Sequence, residues 1–196
     1  MMTYTYQLGN TVYIGLGLGA PTQSKRWIKS GTSLVSFCVG SFFFSRFHRR
    51  FSPSRRWVLC ASFLTQMTLI IVAASIVTWV PQSTNELHWS VLVPIALVAF
   101  QSCGQAVTSR ALKYNSLTSV VLTSIYCDLF SDAELFAFTN IERNRRAAAP
   151  LLLLVGAVLG GVLARSTVGA AGVLWIAAGL KFIVVISWFF WRGEED

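Results

Sequence analysis

No Asp, Glu, Lys or Arg occurs in residues 57–85, 87–109 or 147–164. A helix crossing the roughly 30 Å hydrocarbon core of a bilayer needs about 20 mostly apolar residues, each advancing it by about 1.5 Å. The charge-free runs match that length. The expected fold class is therefore all-α, a polytopic transmembrane helix bundle. Only 12% of the residues are charged and 54% are hydrophobic, which excludes disorder and argues against an ordinary water-soluble enzyme.

The clearest span is residues 57–80, bracketed by Trp57 and Trp79. Those tryptophans are about 33 Å apart along a helix axis, which places one indole at each water interface. Residues 90–107 form a second span, opened by Trp89 and carrying Pro94. A third is 147–165, with Pro150 in its first turn, where a missing N–H costs least. The fourth, 168–191, ends in Trp188, Phe189, Phe190 and Trp191. Residues 31–45 need Trp27 and Phe47 to make a fifth. Residues 8–20, with Gly15, Gly17 and Gly19 at alternate positions, must begin near Tyr4 or be buried among other helices.

Residues 115–130 are too short to cross comfortably. Asn115 and Ser116 read as N-cap residues for the stretch that follows, and Ser131 and Glu134 have capping-box spacing for a short helix through Asn140. This pair reads as a half-helix plus an interfacial helix, or as one oblique crossing. The expectation is five or six spans and one half-helix. They form a single integral-membrane domain over 1–196, with a basic loop at 46–56 and a polar tail at 192–196.

Lys and Arg near membrane ends accumulate on the cytoplasmic side. With loop 46–56 inside and 115–130 not crossing, that side receives eleven basic residues, and Lys25, Arg26, Lys29 and Arg165 remain outside. A crossing there would divide them eight against seven. The net charge of +8 is thus an orientation signal and a lipid-headgroup contact, and no nucleic-acid partner is expected.

Chemistry is sparsely represented. Cys38, Cys60, Cys103 and Cys127 show no metal-ligand or redox spacing, and His48 and His88 are assigned to loops. No phosphate loop, nucleophile elbow or acidic metal motif is present, so no cofactor, metal or catalytic residue is assigned and the chain is not read as an enzyme. What remains is polar residues in apolar helices, which are costly there and usually face an interior. The candidate polar cavity comprises Asn10, Gln101, Gln105, Ser119, Thr123, Asp128 and Lys181. Gln101 and Gln105 share one helix face, and Thr108 continues it. Lys181 lies about 16 Å from Arg192 along the axis, too deep for snorkelling alone, and Asp128 is its expected partner. Such residues serve either as interhelical glue, at about 0.6–2 kcal/mol per contact, or as a solute site. Gly156-x-x-x-Gly160 and Gly160-x-x-x-Ala164 allow close helix approach and indicate a bundle only.

The run Gly9-Asn10-Thr11-Val12 leading into GLGLGA resembles the TGN-hydrophobic-GLAL stretch of the YoaK-like family, also called domain of unknown function 1275. The block from Gln101 to Asp132 is similar to the same family, through Gln101, Arg110, Ser119, Val121, Leu122, Thr123, Asp128 and Leu129. The style of the resemblance is that of the fungal branch. Two departures stand out: the family carries another apolar helix before the Gly-Asn element, so this chain is expected to be shortened at its N-terminus, and Cys103-Gly104 replaces an Asn-Ala pair. The resemblance implies a multi-pass protein of plasma membrane or endomembrane and supplies no reaction. The functional expectation is a transporter or permease-like protein for a small solute; the alternative is a non-catalytic membrane scaffold or accessory protein. The expected partners are the lipid bilayer and a small-molecule solute, with a homo-oligomer left open.

Overall fold

The computed structural model describes residues 7–21, 25–52, 55–81, 85–113, 122–132 and 140–191. Among the described residues there are seven helices and no strand. They are α1 (Gln7–Gly19), α2 (Arg26–Phe51), α3 (Arg56–Trp79), α4 (Trp89–Ala111), α5 (Leu122–Phe130), α6 (Ile141–Arg165) and α7 (Gly169–Phe190). α3, α4, α6 and α7 are long and apolar enough to cross a membrane. α2 has 26 residues, ample length, but Arg26 and Lys29 begin it and Arg46, Arg49 and Arg50 end it. The expected five or six spans are therefore approximate, with α2 the borderline member.

Two boundaries differ from expectation for local reasons. α6 begins at Ile141 rather than Ala147, because the Asn140 side chain accepts a hydrogen bond from the Arg143 N–H at 3.1 Å and caps the helix. Asn140 thus opens α6 instead of closing a short helix, and Pro150 lies in the helix interior rather than its first turn. That short helix falls mostly on 133–139, outside the described residues. α1 packs on α2. Val12, Leu16 and Leu18 on α1 remain exposed, so it is not enclosed by the bundle.

Side-chain contacts fix the helix directions. His48 meets Thr108 and Phe44 meets Phe100, so α2 and α4 run parallel. Ser62 meets Thr108, so α3 opposes α4. Thr78 meets Trp175, Phe63 stacks on Trp188 and Arg56 lies over Phe189, so α7 opposes α3. It follows that α7 runs parallel to α4. The three-residue turn 166–168 and the packing of α6 on α7 make those two an antiparallel hairpin. α4 therefore ends where α6 begins, at the same end of the bundle, as a non-crossing 115–130 requires. The 46–56 segment's arginines, Arg110, Lys113, Arg143, Arg145 and Arg146 share that end. The opposite end holds Lys25, Arg26, Lys29 and Arg165. Lys29 there is neutralised by Glu86, with Nζ 2.8 Å from Oε2.

Burial is inverted relative to a water-soluble protein. Asn10, Ser33, His48, Ser62, Gln66, Ser90 and Thr108 are buried, whereas Leu151, Leu152, Leu154, Val158, Val162, Leu180 and Ile183 are exposed. An apolar surface that wide needs lipid or a partner to cover it, while polar groups hydrogen-bond inside. Close backbone approach makes this interior possible. A Cβ at Gly104 would stand 2.7 Å from the Phe44 ring and 2.9 Å from Gln66 Nε2, so only glycine fits where α2, α3 and α4 meet.

Candidate functional site

Four helices contribute to one hydrogen-bonded chain, buried from Gln66 to Thr108 and His48 and open at Lys181 and the exposed Gln105. The Lys181 ammonium on α7 donates to Gln66 Oε1 on α3 at 2.6 Å and to Gln105 Oε1 on α4 at 3.1 Å. It also lies 4.9 Å from the centroid of the Phe63 ring, whose face attracts a cation. Gln66 is fully buried and its Nε2 donates to Ser62 Oγ at 3.4 Å, one helical turn back. Ser62 in turn meets Thr108 Oγ1 at 3.4 Å, and His48 Nε2 meets the same oxygen at 3.1 Å.

Hydroxyl valence sets the direction of these bonds. Thr108 has one proton, and its Oγ1 lies 2.8 Å from the Gly104 carbonyl, to which it donates. Its two lone pairs then accept from Ser62 and from His48 Nε2. The order runs from Lys181 through Gln66 and Ser62 to Thr108, with His48 joining from α2. Such a chain gives a mid-helix ammonium two carbonyl acceptors without any carboxylate. Charged groups inside a membrane are tolerated when paired or hydrogen-bonded in this way.

The expected candidates are distributed over several places. Gln105 and Lys181 come together. Gln101, one turn earlier, stands outside this hydrogen-bonded chain, and its Oε1 is buried without a hydrogen-bond partner. Asn10 is fully buried on α1, where its Nδ2 donates to Ser33 Oγ on α2 at 3.3 Å. Asp128 is exposed on α5, so the expected Lys181–Asp128 pair is replaced by the two glutamines. The reason is topological: α5 packs on α6, whereas the Lys181 side chain is turned to α3 and α4. Thr123 lies on α5, and its side chain and the whole of Ser119 are outside the described residues.

Gln66, Ser62 and His48 were not anticipated. The first two obey the i, i+4 spacing that selected Gln101 and Gln105, and Gln66 is the single glutamine of α3. His48 was placed in a loop, but α2 continues through Phe51 and carries it into the bundle. Among the described residues no group of His, Cys, Asp and Glu could hold a metal ion.

A family model described as a protein of unknown function (DUF1275) matches residues 2–187. No curated protein and no solved structure was found to match.

Proposed function

This chain belongs to the DUF1275 family of proteins of unknown function, and we propose that it is a membrane transporter or permease for a small solute rather than an enzyme. The observation that carries this reading is Lys181, a cation at mid-helix held by side chains from two other helices. Its ammonium is half-buried, so a solute with an acidic or strongly accepting group can exchange for one of the glutamine carbonyls. Helix-borne polar groups facing each other inside a bundle are the usual material of such sites. The resemblance of residues 9–20 and 101–132 supports a proposed kinship with the fungal branch of the YoaK-like proteins. Plasma membrane or endomembrane is the proposed location, with the basic end cytoplasmic.

The scaffold reading draws on one feature of the same site: Lys181 already has two acceptors, and the chain to Thr108 is closed. Uptake of radiolabelled acetate and lactate into proteoliposomes separates the two. Transport predicts uptake above empty liposomes for the folded chain and its loss in Lys181→Met. Uptake equal to empty liposomes, with a lowered Tm for Lys181→Met, establishes the polar chain as interhelical glue.

A further inference from the structure

At the basic end, the C-terminal parts of α2 and α4 border an open cavity of about 1050 Å³. Arg46, Arg49 and Arg50 of α2, Arg55 just before α3, and Arg110 of α4 line it. No carboxylate is among its lining residues that are described. Like charges gathered from three segments repel one another, and the Phe42 ring, with its centroid 5.1 Å from the Arg46 guanidinium carbon, offsets only part of that. An orientation signal alone needs these arginines only on one side of the membrane, not around one space.

His48 also lines the cavity, at 3% exposure. Its Nε2 carries the proton given to Thr108, because the Thr108 hydroxyl is committed to Gly104. Nδ1 is left as a bare acceptor, buried without a hydrogen-bond partner. Buried polar atoms without partners are few in folded proteins and call for a ligand or another cause. An anion in the cavity would give that nitrogen a reason to take a proton and donate.

We propose that this cavity binds a phosphate group bearing two negative charges, carried either by a lipid headgroup or by a free molecule. Guanidinium forks match phosphate oxygens in pairs, which a point charge does not. Phe42, Phe51 and Val107 stand in the same wall and would lie beside an acyl chain or other apolar portion. The site shares His48 with the hydrogen-bonded chain that ends at Lys181, but it does not depend on the transport reading.

The test uses the full chain in phosphatidylcholine nanodiscs, read by thermal unfolding. Pyrophosphate added to neutral discs probes the free source, with sulfate as the control anion. Phosphatidic acid doped into the discs probes the lipid source, with phosphatidylserine at matched surface charge as control. One source is expected to raise Tm beyond its control. Arg49→Gln and Arg110→Gln, both exposed, should each raise the ligand concentration needed for that response by about tenfold, the loss of one charge-assisted contact. Arg145→Gln, at the same end but outside the cavity, should leave it unchanged. Equal responses to the controls, or an equal loss in Arg145→Gln, would overturn the proposal in favour of unspecific attraction.

Discussion

Lys181 Nζ lies 2.6 Å from Gln66 Oε1, so α7 is joined to α3 by a charged hydrogen bond between residues 115 positions apart. Removing either partner costs the other its charged hydrogen bond and leaves Lys181 with Gln105 alone and Gln66 with Ser62 alone. Gln66→Leu and Lys181→Met should each destabilise the bundle, and the double variant should lose less than the sum. A coupling of about 0.6–2 kcal/mol is expected from thermal unfolding in detergent. Asp128→Asn should leave that coupling unchanged; additivity of the first pair would dismiss the bond.

Gly104 supplies the second expectation. A methyl group there meets the Phe44 ring and Gln66, both fully buried. Gly104→Ala should cost about 1–3 kcal/mol, the usual cost of overpacking. Adding Phe44→Leu should recover part of that loss, and this is read by comparing the Tm of both variants and the pair. No recovery would place the strain elsewhere.

The parallel course of α4 and α7 predicts opposite exposure of the two ends. In a chain whose four native cysteines are replaced, Ser52→Cys should be protected from an impermeant thiol reagent in intact cells. Thr167→Cys, in the turn between α6 and α7, should be labelled. The reverse pattern would invert the orientation, and equal labelling would contradict the basic asymmetry.

Glu86 gives the bundle a pH dependence at its less basic end. The hydrogen bond from Lys29, and then its charge, hold the Glu86 carboxyl below the usual carboxylate range. A carboxyl lowered in the folded state contributes stability above its unfolded value of about 4.3, and that contribution is lost as pH falls through the folded value. The Tm advantage of the wild type over Glu86→Gln should therefore shrink between about pH 6 and about pH 3. Glu86 is 61% exposed, so the advantage should also shrink with added salt. A constant difference across that range would mean Lys29 is held by something other than the carboxylate.

Helix positions were legible from residue order because backbone in lipid has few options. The charge-free runs delivered α3 and α4 to within a few residues, and the apolar stretch around Lys181 did the same for α7, since a helix satisfies every internal N–H and carbonyl. Asn140 shows the limit of that reasoning: the charge-free run starts this span only at Ala147, yet one side-chain cap and a favourable Glu142 in the first turn begin α6 six residues earlier.

Partnership was much less legible. α3 and α7 are apolar nearly all round, so no stripe in the residue order says which face turns inward. Residue order alone established that Lys181 sits at mid-span and needs company, because an isolated charge there is costly. It also supplied the basic asymmetry between the two ends. Which groups answer Lys181 was decided by tertiary packing: the directions of α3, α4 and α7, and the close approach at Gly104, set Gln66 and Gln105 beside it. Asp128 carries the better charge, but a carboxylate acts only where the chain places it, and α5 packs against α6 instead.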